Sequence, residues 1–259
     1  MRRPLLTLAT ALTGACAAAR VRPAATGAPR CALPAPVLVH RAGDTLVSRH
    51  DFRAAPPDAW DDRALTALRD VRTRLRAALD VDTRALLARQ AAYWAAHPDP
   101  ALRREAENGT AVRSGRVGTV RDAGCLEALL VDAQARRTDM VDRPTEFQAL
   151  VLRRGDARRV YLAGSTAPWP PKLPPRVDAL LAADRRDGWH AESHGHNHPF
   201  YLAKRDTGDV AGAVAPSLSD VQLWRALRTR LGLRGAWVTN GFATAHFTAA
   251  DFDALSTHP

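Results

Sequence analysis

Several residue types and patterns that would mark a function class are scarce in this sequence. Across 259 residues only Lys172 and Lys204 are lysine, so 35 of the 37 basic side chains are arginine. There is no lysine-rich run, and the formal charge of +10 is interspersed with Asp and Glu instead of gathered in one block. Aromatic residues make up only 6%, which leaves little surface for base stacking. The arginine excess therefore reads as coding bias, and nucleic acid is not the expected partner. Cysteine is scarce too, at three, and none stands in a CxxC pair or beside a His/Asn arrangement, which argues against a cysteine nucleophile. No apolar run beyond the N-terminus approaches membrane-spanning length. Against these absences stand 46% hydrophobic and 25% charged residues, an ordinary globular balance that excludes wholesale disorder.

The first residues read as an address. Met1-Arg2-Arg3 is followed by the uncharged run Leu5 to Leu12 and then by small residues, the pattern of a signal peptide over 1–19. Leu12-Thr13-Gly14-Ala15-Cys16 also resembles a bacterial lipobox, which implies a lipid anchor on Cys16; the alternative is plain cleavage after Ala15, Ala17 or Ala19. Both versions predict export, either as a cell-envelope lipoprotein or as a secreted or periplasmic protein. Cys31 and Cys125 then remain as an even pair in an oxidising compartment, open to one disulfide or to two buried thiols. Residues 20–36, rich in Ala, Pro, Arg and Gly, read as a flexible tether.

Residues 37–110 read as a helical accessory region. A short strand lies within Val37 to Val47. Asp61-Asp62 open a helix carrying Leu65, Leu68, Val71, Leu75 and Leu79, and a second runs from Thr83 to Ala96, so the pair predicts a helical hairpin. The polar stretch from Arg104 to Val120, with three glycines, reads as an irregular connection. From 120 to 259 strands and helices alternate. A helix starts at Leu126, strands cover Phe147 to Leu152, Val160 to Ala163 and Trp189 to His198, a helix runs from Val221 to Leu231, and Ala236 to Thr239 is the last strand. This predicts an α/β or α+β fold, a mixed sheet flanked by helices. Oligomeric state leaves no mark in the sequence.

The densest chemical signal is His190-Ala-Glu192-Ser-His194-Gly-His196-Asn-His198-Pro199. On a strand the alternate positions 190, 192, 194, 196 and 198 share one face, and histidines two apart sit about 7 Å apart, close enough to grip one metal ion. Further on, Ser217-Leu218-Ser219-Asp220 heads a helix, and Glu146 stands at the start of the Phe147 strand.

Taken together, these segments resemble the JAMM (MPN+ or JAB) metallopeptidases. Their pattern is a glutamate opening a strand, later His-x-His-Pro, then Ser-x-x-Asp opening a helix; it covers about Gly124 to Phe247 here. The resemblance implies a zinc ion held by His196, His198 and Asp220, with Glu146 as general base and then acid and Ser217 as oxyanion donor. It implies hydrolysis of an amide or isopeptide bond in a peptide or protein substrate. The 22-residue step from His198 to Asp220 makes Phe200 to Ala215 an insertion, either a lid or a surface excursion.

Alternatives stand beside that implication. His194 with His196 is a second candidate ligand pair, and Glu192 a second candidate base. Ser217-x-x-Asp220 is also a plain capping box. Asp206 and Asp209 fit no EF-hand spacing, and His246 reads as structural or exposed. A domain of this type could also be a non-catalytic binding module for protein or cell-envelope partners. An amidohydrolase barrel also uses His-x-His but places it early, whereas His196 has only 63 residues behind it.

Overall fold

The computed structural model describes residues 31–54, 56, 60–202 and 211–258. The expected signal segment 1–19 with Cys16, the first part of the tether, and Asp206 and Asp209 lie outside these residues. Strands β1 (Val37–Ala42), β2 (Thr45–Phe52), β3 (Thr119–Asp122), β4 (Phe147–Arg154), β5 (Ala157–Gly164), β6 (His190–Asn197), β7 (Gly235–Thr239) and β8 (Ala243–Thr248) form one mixed sheet in the order β1-β2-β5-β4-β6-β7-β8-β3. Every neighbouring pair is antiparallel except β6 and β7. The helices are α1 (Thr66–Ala78), α2 (Thr83–Ala95), α3 (Pro100–Arg103), α4 (Glu105–Arg113), α5 (Cys125–Ala135), α6 (Pro175–Arg186), α7 (Leu218–Leu231) and α8 (Asp251–Ala254). The expected mixed sheet flanked by helices is present.

The centre of the sheet is dictated by β4, whose residues from Phe147 to Leu152 are all buried. An unbroken apolar strand needs cover on both faces. Phe147, Ala149 and Val151 pack with Leu68 of α1 and Leu129 and Leu130 of α5, while Leu150 and Leu152 pack with Val177 and Leu181 of α6 and Val221, Trp224 and Leu227 of α7. Helix α7 is the crossover between the parallel strands β6 and β7, and so starts beside the end of β6. Among the described residues no helix is long and apolar enough to cross a membrane.

The region 37–110 differs from its expected form. Instead of one short strand it gives the hairpin β1–β2, and β2 pairs with β5 to extend the main sheet. Helices α1 and α2 follow each other as expected, but α1 lies mainly on α5 and α2 on α4. The stretch from Arg104 is corrected from an irregular connection to helix α4. Gly109, which weakens the helical pattern in the sequence, lies on α4 facing α2, where an added Cβ would sit in ordinary contact at 3.5 Å from Ala91 Cβ. Ala236 to Thr239 is not the last strand. Asn240-Gly241 turns the chain back into β8, with Asn240 Oδ1 accepting from the backbone of Phe242 and Ala243 at 2.9 Å each. Cys31 and Cys125 form a disulfide, Cα–Cα 5.6 Å, joining the segment before β1 to the start of α5.

Gly195, between two of the histidines, is fixed by packing. A Cβ there would fall 1.9 Å from the ring of buried Trp237, its neighbour on β7. We expect Gly195→Ala to lower the unfolding free energy by about 2–3 kcal/mol, the cost of overpacking a closed core, measured by urea denaturation.

Candidate metal centre

The centre forms where β6 ends and α7 begins. His196 is on the α7 face of β6, its ring 6.4 Å from that of Trp224. His198 lies just past the strand, and its backbone N–H continues the ladder by donating to Thr239 O at 2.8 Å. Helix α7 starts with a complete capping box: the Ser217 hydroxyl accepts from Asp220 N, and the Asp220 carboxylate accepts from Ser217 N at 2.8 Å. That box holds Asp220 in the first turn with Oδ2 turned toward the strand end. The capping role and the ligand position are therefore compatible, because one geometry serves both.

His196 Nε2 and His198 Nε2 are 3.1 Å apart, and Asp220 Oδ2 is 3.3 Å from the first and 3.5 Å from the second. Four ligands at the usual zinc bond lengths of about 2.0–2.1 Å, set tetrahedrally, stand about 3.3 Å from one another. The three atoms thus have the spacing of one face of a tetrahedral site, and the triad fits a metal ion. His198 Nδ1 lies 2.9 Å from Ala213 O, which fixes the proton on Nδ1 and leaves the Nε2 lone pair for a ligand. Burial alone would push the His198 pKa down. The hydrogen bond and charge of Asp220, the charge of Glu146 and the Ala213 carbonyl outweigh it and raise the pKa to about 9. Asp220 is held well below the usual carboxylate range: burial pushes its pKa up, but His196 and His198 together pull it down further.

Glu146 is set beside this group by Asn197, a buried residue between the two histidines. Asn197 Oδ1 accepts from Phe147 N at 2.7 Å, and its Nδ2 donates to Thr145 O at 3.0 Å, so one amide clamps the backbone on both sides of Glu146. Glu146 N donates to Pro168 O at 3.1 Å. The charge of Glu146 is felt at His198 and at Tyr201, whose pKa rises to about 12 through burial first and that charge second.

The alternatives separate by position. The register of β4 against β6 slips between Val151 and Leu152, opposite Ser193 and Ala191, which leaves Glu192 in a bulge. The expectation that positions 190 to 198 all share a face is corrected there. Glu192 pairs with Arg158 and Arg153 away from the triad, and His190 is exposed. His194 is buried but bonded through Nε2 to Gln148 Oε1 at 3.1 Å, and stays out of the cluster. His246 lies 3.1 Å from buried Glu127 on the other side of the molecule's core. Of the insertion, the described part returns to the site: Ala213, Val214 and Ala215 are buried, and Gly212 O accepts from Asn240 Nδ2 at 2.7 Å.

Two contributors carry no readable sequence signal. Asn197 looks like an ordinary spacer in His-x-His. Glu105, from α4, accepts from Leu218 N with both carboxylate oxygens at 3.1 Å and so braces the first turn of α7 across 113 residues of chain. Its pKa is pushed up to about 7, by burial foremost and then by the Asp220 charge, against the Leu218 N–H and His198.

No protein-family model, no curated protein and no solved structure matches the chain.

Two outcomes follow from this geometry. Asn197→Ala strands two buried backbone groups and should cost about 1–3 kcal/mol in urea unfolding while the triad still takes up one metal ion per chain. In the metal-free protein, the raised His198 pKa gives stability that is complete below about 6.5 and lost as pH rises towards 9. Denaturation at pH 6 and pH 9.5 should show that loss, and Asp220→Asn should flatten it.

Proposed function

We propose that the chain is an exported, zinc-dependent peptidase or isopeptidase of JAMM type that hydrolyses an amide or isopeptide bond. The observation that carries this reading is the tetrahedral-face spacing of His196 Nε2, His198 Nε2 and Asp220 Oδ2, with Glu146 clamped beside them. Two imidazoles and one carboxylate are a donor set suited to zinc, and three protein ligands leave a coordination position open. When bound, zinc would polarise the scissile carbonyl and bring the pKa of a water in the open position from about 15.7 towards 7.

The side chains divide the remaining work. Ala213 O keeps His198 in the tautomer that offers Nε2. Glu146 takes the proton from the attacking water and passes it to the nitrogen of the breaking bond, so the amine leaves neutral. In the resting state the Ser217 hydroxyl lies 2.8 Å from Asp220 Oδ2 and 2.9 Å from Ser219 Oγ. Its one proton serves the substrate oxygen when it turns away from these partners.

The test is hydrolysis of a peptide library by the zinc-loaded full chain, followed by mass spectrometry. Glu146→Gln should keep the metal and lose about 10²–10⁴-fold in rate. Ser217→Ala should lose about 10²–10³-fold with metal retained. Cleavage that survives Glu146→Gln, or a zinc-loaded protein that cleaves nothing, contradicts the proposal.

A further inference from the structure

Beside the triad, a cleft of about 390 Å³ opens between α7 and the proline-rich loop that follows β5. His196 and Asp220 are part of its lining, so whatever enters it reaches the metal position. Larger grooves elsewhere, including one of about 1110 Å³ beside Glu127 and His246, touch none of the three triad residues. The loop wall is built before any ligand arrives. Pro168 O accepts from Glu146 N at 3.1 Å, Pro171 O accepts from the Gln148 side chain, and the prolines fix their own φ angles. A wall held in this way loses little entropy on binding.

The lining has two characters. Leu173, Leu223 and Leu227 are apolar, and Leu223 is 41% exposed, a high value for a large aliphatic side chain beside a polar centre. Lys172 and Arg230 bring positive charge. Arg230 pairs with Asp178 at 3.2 Å, whereas Lys172, one of two lysines in the chain, has no acidic partner among the described residues. His194 adds an acceptor. Gln148 Nε2 is engaged with Pro171 O, so Gln148 Oε1 takes the His194 Nε2 proton and leaves Nδ1, buried and without a hydrogen-bond partner, as an acceptor. A small volume with an apolar wall and a net positive rim suits one amino-acid residue with a free carboxylate better than a continuing polypeptide.

We propose that this cleft holds the C-terminal residue of a peptide substrate. Its apolar side chain lies against Leu173, Leu223 and Leu227, and its free carboxylate against Lys172 and Arg230. The assignment rests on the peptidase reading above. Hydrolysis then adds one water across the last C–N bond: the hydroxyl joins the carbonyl carbon, the proton goes to the nitrogen, and a single amino acid leaves.

The test uses two peptides, identical but for a C-terminal leucine carried as free acid or as amide. Binding is measured by calorimetry on zinc-loaded Glu146→Gln full chain, and cleavage is followed with the zinc-loaded wild type. The free acid should bind about fivefold more tightly than the amide, the upper worth of a partly exposed ion pair, and the wild type should release free leucine from it. Adding Lys172→Glu should abolish or reverse that preference, and Leu223→Glu should weaken both peptides. Equal affinities, or a preference unchanged by Lys172→Glu, overturn the cleft assignment. Cleavage of an internal bond at equal rates in both peptides also overturns it and leaves the peptidase reading standing. A carboxylate preference with no leucine released upholds the cleft and contradicts hydrolysis.

Discussion

Two imidazole nitrogens and a carboxylate oxygen lie within 3.5 Å of one another in a largely buried site. Without a cation, protons shared with the two imidazoles balance the Asp220 charge. One Asp220 oxygen serves both histidines and also the Ser217 backbone and hydroxyl, so the charges there depend on each other. The shifts in opposite directions, His198 raised and Asp220 lowered, express that dependence. A divalent ion would replace shared protons by three direct bonds, and binding would add to the stability of the fold.

The surrounding structure keeps these atoms in place from distant parts of the chain. Trp237 packs on Gly195 and fixes the height of β6 in the sheet. Thr239 extends the ladder to His198, and the 211–215 segment supplies the carbonyl that sets its tautomer. Asn197 ties the opening of β4 to the same turn, which couples the position of Glu146 to the positions of its neighbouring histidines. Glu105 braces α7 from a helix that precedes most of the sheet in sequence. The region 37–110 thus reaches the start of α7 through the Glu105 carboxylate and the Asn108 amide, which donates to Pro216 O, while its strands build the far edge of the sheet.

Much of the centre was legible because it is local. His196 and His198 are two apart across the end of a strand whose ladder His198 continues, and Ser217 and Asp220 are three apart at a helix start, so each pair is set by local geometry. Only their meeting, and the place of Glu146 beside them, required the sheet. What could not be read was long-range. The bulge that removes Glu192 from the histidine face depends on register with β4, and alternation alone cannot show it. Strand β8 pairs with β7 across Asn240-Gly241, and an Asn-Gly pair between two strands is a hairpin signal that extends the sheet beyond the expected last strand at Thr239. Helix α4 is obscured in the sequence by Gly109 and its polar neighbours, and its burial against α2 is a tertiary contact. Asn197 and Glu105 act on backbone groups, and a sequence does not show which backbone group a side chain will meet.

The most direct test of the account is X-ray absorption at the zinc edge on the zinc-loaded full chain, beside His198→Ala and Asp220→Ala. The expected result is one zinc per chain with about four nitrogen or oxygen neighbours near 2.0–2.1 Å, two of them showing imidazole scattering, and loss of that site in both variants. A wild-type protein that retains no zinc, or a zinc shell unchanged by either substitution, would contradict it.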